Sequence, residues 1–194
     1  MNNSRATTIA NEIIQLYEQY GGSEYAGEKV TQLEHMVQAA RLAAAEGYDE
    51  EVILAAFLHD IGHICVAAQE NNGMDGWGIK DHEEVGAGYL HEKGFTKRLA
   101  RLVESHVEAK RYLTCKDPLY YDRLSEASKK TLAYQGGPMM TDEAVAFEAH
   151  PLFPLIIKMR HWDDMAKVEH LGTGDLEEYR AMIIRHLELN NSNL

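Results

Sequence analysis

Six side chains able to hold a metal ion stand at wide intervals along the chain: His35, the adjacent His59-Asp60 pair, His82, His106, and one member of the late Asp163-Asp164 pair. Neutral imidazole and ionised carboxylate are both good ligands for first-row metals. The pair sits in Leu58-His59-Asp60-Ile61-Gly62-His63, where a long apolar run closes. Burying three ionisable groups there unpaired would cost several kcal/mol, a cost that a cation offsets. Asp60 has two oxygens and can bridge two ions. Spacing alone supports one ion and leaves the second open. A lone histidine is more often a surface or hydrogen-bonded residue, and His91, His150, His161, His170 and His186, on polar faces or near helix ends, belong to that class.

Cationic and polar groups accompany the ligands. Lys110 follows His106 by four residues and Arg160 precedes Asp163 by three, each on its ligand's helix face. Ser128, Thr131 and Gln135 form one polar stripe, and Glu28, Gln32 and His35 share another face. Any one of these alone reads as solvated surface. Three helices aiming such groups alongside metal ligands describe an anion pocket.

The elements that must position these residues are helical. Ile9, Ile13, Ile14 and Tyr17 predict a helix over 8–20, stopped by Gly21-Gly22. A second is expected over 28–46 with Gly47 as its stop, and a third from the N-cap Asp49 to about His63, apolar nearly all round and therefore central. Residues 69–81 read as a loop, with Trp77 amid glycines, that either covers the site or merely connects. Further helices are predicted over 82–93 (closed by Gly94), 96–112 (capped by Thr96), 119–133, 141–149 (capped by Thr141), 154–169 and 175–189, with a fraying tail over 190–194. Strand-like alternation is essentially absent. The expectation is one all-α domain over 1–194, its ligands on different helices around a bundle core.

The 194 residues suffice for a substantial core, and the net charge of −12 argues against nucleic acid or an anionic membrane as partner. The polar N-terminus shows no secretory signal, and no apolar run approaches the roughly 18 residues that span a bilayer. Cys65 and Cys115, far apart and in no CxxC pattern, read as free thiols in a reducing cytoplasm.

His35, then His59-Asp60, then a distant Asp resembles the HD-domain superfamily, whose members are mostly metal-dependent phosphohydrolases; His82 and His106 add its dinuclear version. Within it the chain is similar to the mixed-valent diiron oxygenases of the 2-amino-1-hydroxyethylphosphonate dioxygenase family, relatives of myo-inositol oxygenase. The likeness covers nearly the whole chain, through Tyr25-Ala26-Gly27-Glu28, Gln32-Leu33-Glu34-His35, the segment from Ala55 to His63, Ala109-Lys110-Arg111-Tyr112-Leu113, Leu124-Ser125-Glu126-Ala127-Ser128, Tyr134-Gln135-Gly136-Gly137 and Arg160-His161-Trp162-Asp163.

The resemblance implies a single HD-domain helical bundle with a dinuclear metal site in its core. One iron would take His35, His59, Asp60 and Asp163, and the second His82, His106 and bridging Asp60, as a mixed-valent Fe(II)/Fe(III) pair. The family places its ligand Asp directly after Trp, which picks Asp163 over Asp164. It assigns Tyr25 as a ligand that leaves when substrate enters, Glu28 and His63 to the substrate amino group, and Gln32, Lys110, Ser128, Thr131, Gln135 and Arg160 to the remaining substrate contacts. The implied reaction uses O2 to cleave the C–P bond of a small α-hydroxyphosphonate in phosphonate catabolism. The parent substrate is (1R)-2-amino-1-hydroxyethylphosphonate, giving glycine and phosphate. Hydroxymethylphosphonate, a trimethylammonio analogue, or hydrolysis of a phosphate ester by metal-activated water are the alternatives. The ligands themselves do not separate oxygenase from phosphohydrolase; the stretch from Lys110 to Gln135 and the Tyr25/Glu28 pair favour the oxygenase. A non-enzymatic sensor is disfavoured because every ligand is present. Metal identity and oligomeric state stay open.

Overall fold

A computed structural model describes residues 2–25, 27–65 and 73–191. Eleven α-helices and one 3-10 turn make up their regular structure, in the order α1 (Asn2–Tyr20), α2 (Gln32–Ala45), α3 (Glu50–Leu58), the 3-10 turn Ile61–His63, α4 (His82–Lys93), α5 (Lys97–Glu104), α6 (His106–Lys116), α7 (Tyr120–Arg123), α8 (Glu126–Tyr134), α9 (Thr141–Glu148), α10 (Phe153–Met165) and α11 (Glu177–Asn191). Only isolated bridges, Glu24 with Thr31 and Gly73 with Ile79, represent β structure among the described residues. None of the described helices is long and apolar enough to cross a membrane. The all-α expectation holds.

The bundle is built around α3. Every residue from Val52 to Leu58 is buried, and each of its large aliphatic or aromatic side chains contributes about 1.5–3 kcal/mol by leaving water. It packs against α2, α5, α10 and α11, while α10 also lies on α2 and α6. Asp49 caps it as expected, its Oδ1 accepting from Val52 N–H at 3.0 Å.

Several boundaries differ from the sequence reading, each for a local reason. Helix α1 starts at Asn2, not Thr8, extending the buried stripe back to Ala6. Helix α2 starts at Gln32 because Thr31 and Glu34 form a reciprocal capping box. Glu28 therefore lies in the preceding turn and does not share a helical face with Gln32 and His35. Helix α3 ends at Leu58. Gly62 lets α4 approach, since a Cβ there would stand 1.9 Å from the His82 carbonyl oxygen. The helix expected over 96–112 breaks at Ser105, whose hydroxyl donates back to Arg101 O, so His106 opens a new helix. The stretch 119–133 splits into α7 and α8, the latter capped by Ser125. Met140, not Thr141, is the N-cap of α9, and α10 stops at Met165 rather than 169. Asn190 and Asn191 continue α11, and 192–194 lie outside the described residues, as do 69–72 of the predicted loop.

Candidate metal centre

The six proposed ligands come together, all buried, from five separate places: His35 within α2, His59-Asp60 just after α3, His82 and His106 at the first turns of α4 and α6, and Asp163 near the end of α10. Each histidine is oriented by its other ring nitrogen. Nδ1–H donates to a backbone carbonyl in every case: His35 to Ala166 (2.9 Å), His59 to Ala56 (2.8 Å), His82 to Ile79 (3.0 Å) and His106 to Val103 (2.7 Å). In the neutral ring this leaves Nε2 as the lone pair, the usual preparation of a metal-binding imidazole. The bare nitrogens face one another, His35 with His59 at 3.1 Å and His82 with His106 at 2.9 Å. Two ring nitrogens at that range need a positive charge between them, either a shared proton or a metal ion.

Asp60 joins the two pairs. Its Oδ1 faces His82 (3.2 Å) and His106 (3.3 Å), and its Oδ2 faces His59 (3.4 Å) and His35 (3.6 Å) with no hydrogen-bond partner although buried. Asp163 Oδ1 lies 3.3 Å from His35 Nε2, while its Oδ2 accepts from Arg160 at 2.6 Å. Asp164 instead engages Arg160 and the Tyr120 hydroxyl. Burial pushes the Asp60 carboxyl up, and the surrounding histidines, His59 first, hold it well below the carboxylate range. Burial likewise pushes His59 down, but Asp60 outweighs it and raises the ring to about 9. The carboxylates demand positive charge here, and the donor set fits a pair of metal ions.

His63 brings a ligand atom within 4.8 Å of those of Asp60 and His82. Its Nδ1, however, accepts from Ile79 N–H at 3.2 Å, so Nε2 carries the hydrogen and is a donor. The ring stacks on His82 at 4.0 Å. Burial, then the neighbouring His82, hold its pKa well below the usual histidine value.

A pocket of ≈ 180 Å³ opens onto His82, His106 and Asp163. Every residue assigned to substrate from the sequence lines it: Tyr25, Glu28, Gln32, His63, Lys110, Ser128, Thr131, Gln135 and Arg160. Tyr25 stacks on His35 at 4.0 Å, and burial together with Asp60 and Asp163 pushes its phenol well above the usual value. Lys110, buried, donates to Thr131 Oγ1 at 3.0 Å; burial first and Arg160 second push its ammonium down to about 7. Arg160 already serves Tyr120 (2.9 Å), Asp163 and Asp164, so it holds the metal-facing carboxylate as well as lining the pocket. The described part of the predicted loop lines the site: Met74, Gly76, Trp77 and Gly78 contribute to the pocket wall. Trp77 fits against Gly27, where a Cβ would stand 2.4 Å from the indole.

Two contributors escaped the sequence reading. Tyr120 bridges Arg160 and Asp164, and Lys167 pairs with Glu28 at 2.7 Å. Lys167 lies in the loop after α10, where no helical spacing marks it.

The HD domain family model matches residues 33–145, more than half of the chain, and takes in all the candidate ligands but Asp163. The chain belongs to the HD-domain family. It is 46% identical over 184 residues (95% of this chain, 84% of the relative) to an uncharacterised protein of Acanthamoeba polyphaga mimivirus. It is 40% identical over 173 residues (89% and 87%) to [1-hydroxy-2-(trimethylamino)ethyl]phosphonate dioxygenase (glycine-betaine-forming) of Leisingera caerulea. To hydroxymethylphosphonate dioxygenase of Gimesia maris it is 37% identical over 190 residues (95% and 92%).

Proposed function

We propose that this HD-domain protein is a diiron oxygenase that uses O2 to cleave the C–P bond of a small α-hydroxyphosphonate, with (1R)-2-amino-1-hydroxyethylphosphonate going to glycine and phosphate as the reference reaction. One observation carries the reading: a small pocket that has metal-facing His82, His106 and Asp163 at its floor and Lys110, Ser128 and Thr131 on its wall. Two relatives that match nearly end to end and are named as phosphonate dioxygenases support it. His35, His59, Asp60 and Asp163 would hold one ion and His82, His106 and Asp60 the other; bound there, an Fe(II)/Fe(III) pair supplies the redox chemistry that joins dioxygen to the substrate carbon.

The chain's own residues do the rest. The Lys110 ammonium, already aimed by Thr131 Oγ1, offers its remaining hydrogens to phosphonate oxygens, a charge-assisted contact. Thr131 passes its own hydrogen to Ser128 O at 3.2 Å and so fixes that donor array. His63, neutral with hydrogen on Nε2, donates into the pocket. Arg160 holds Asp163 in place from behind, and the Met74–Gly78 wall excludes water.

The test is direct. Anaerobically purified, iron-loaded protein should consume one O2 per phosphate released from 2-amino-1-hydroxyethylphosphonate or hydroxymethylphosphonate. Phosphate release from a monoester without oxygen uptake, and no turnover of any hydroxyphosphonate, would replace this reading with metal-assisted hydrolysis.

A further inference from the structure

The buried carboxylate of the pocket outside the metal cluster already holds a cation of this chain. The Glu28 carboxylate accepts from Lys167 Nζ at 2.7 Å, with both side chains largely buried. The same ammonium lies 3.3 Å from Ser125 Oγ and from Ser128 Oγ, so it is fixed from two further directions. It also stands 5.9 Å from the centre of the Tyr25 ring. The other aromatic wall, Trp77, carries Lys130 Nζ over its ring at 4.2 Å. A quaternary ammonium is recognised by carboxylate charge and by aromatic faces, and here the buried carboxylate is engaged while each aromatic ring has a lysine ammonium near it. Glu24, the remaining carboxylate on the wall outside the metal cluster, is exposed to solvent and screened.

Two acceptors, by contrast, stand unused. Gln32 Oε1 and Gln135 Oε1, both on pocket residues, are buried without a hydrogen-bond partner among the described residues. A buried acceptor left unmade is costly, so these oxygens select for a ligand bearing N–H or O–H. A trimethylammonium group adds no donor to the α-hydroxyl that all these ligands share, whereas a primary ammonium adds three.

Building on the proposed reaction, we infer that Lys167 is a specificity-determining residue. By neutralising Glu28 it makes that part of the pocket electrically balanced, so the chain takes α-hydroxyphosphonates whose distal group is absent or small and hydrogen-bond-donating, and rejects those ending in a quaternary ammonium. Lys167 touches Glu28 and Ser128 and acts on the substrate through them.

The experiment compares three ligands on the iron-loaded protein: hydroxymethylphosphonate, 2-amino-1-hydroxyethylphosphonate and 1-hydroxy-2-(trimethylammonio)ethylphosphonate. Kd is read by calorimetry without oxygen and kcat/KM by oxygen uptake. The wild-type protein should bind and turn over the trimethylammonio compound at least about tenfold less well than the better of the other two. Lys167→Met, which frees Glu28, should shift that ratio about tenfold toward the trimethylammonio compound, and Lys167→Arg should restore the wild-type order. A wild-type preference for the trimethylammonio compound overturns the inference even if the Met variant does not fold, and so does a folded Lys167→Met protein whose ratio is unchanged. Failure to turn over any of the three would count against the oxygenase reading instead, while the anaerobic Kd order still judges Lys167.

Discussion

The metal cluster and the pocket wall lie side by side but are built on opposite principles. In the cluster every histidine is tied by Nδ1–H to a backbone carbonyl, so its direction is set by main chain that no substitution of a neighbouring side chain removes. In the wall the important groups are tied to other side chains: Lys110 to Thr131, Lys167 to Glu28, Trp77 to Lys130. The first arrangement fixes a cation site. The second can be re-tuned one residue at a time, which is what a family needs in order to keep one chemistry and change its substrate.

The sharpest way to break this contrast is Asp60→Ala. Asp60 faces both histidine pairs, so both ions should be lost together and activity should fall by about 10³-fold or more. His82→Ala should remove only one ion and leave the other on His35, His59, Asp60 and Asp163. Metal analysis of the two variants decides: loss of a single ion from Asp60→Ala would end the bridging assignment.

Removing the metal by chelation tests the cluster as a structural element. At free ion a hundredfold above its dissociation constant, binding adds about 2.7 kcal/mol of stability. For a chain of this size that is a fall in Tm of about 5–10 °C on chelation, readable by calorimetry. An unchanged Tm would mean that the lone pairs facing each other at 2.9 and 3.1 Å are not held by a bound cation.

Lys110 carries the wall's clearest pH signature. Its ammonium is pushed down to about 7, so it is charged below that pH and neutral above. Only the charged form makes a charge-assisted contact with phosphonate. kcat/KM should therefore be full below pH 7 and decline as pH rises through it, mainly through KM. Lys110→Met should weaken binding about 30-fold, the worth of about 2 kcal/mol, and should abolish the decline. A decline that survives in Lys110→Met would assign the titration to another group.

The same contrast explains what could be read in the sequence. Helix α4 appeared with both ends in place, because Gly94 in the left-handed region is an unambiguous stop. The candidate ligands could be picked out because metal chemistry restricts residue types, and their convergence followed from helices whose apolar stripes fix their facing. Boundaries failed where a polar side chain competed with the apolar pattern: Thr31 with Glu34 ahead of α2, and Ser105 between α5 and α6. Lys167 was invisible because its meaning lies in Glu28, 139 residues away. A half-buried lysine in a loop has no periodicity to announce it.

Trp77 should give the smallest effect and the finest test of the wall. Its ring fills the space over Gly27 and receives Lys130, but it makes no contact with a metal ligand by hydrogen bond or ring stacking among the described residues. Trp77→Leu keeps an apolar side chain on that wall while opening it to water. The Lys130 ammonium loses a cation–π contact worth about 0.5–1 kcal/mol at an exposed site, which is a few-fold in equilibrium terms. Metal content and Tm should be nearly unchanged, with kcat/KM down only a few-fold and oxygen uptake exceeding phosphate release, because the pocket no longer excludes water during turnover. A large loss of metal in Trp77→Leu would show that wall and cluster are one cooperative unit, and the independence that lets the wall be re-tuned would fail with it.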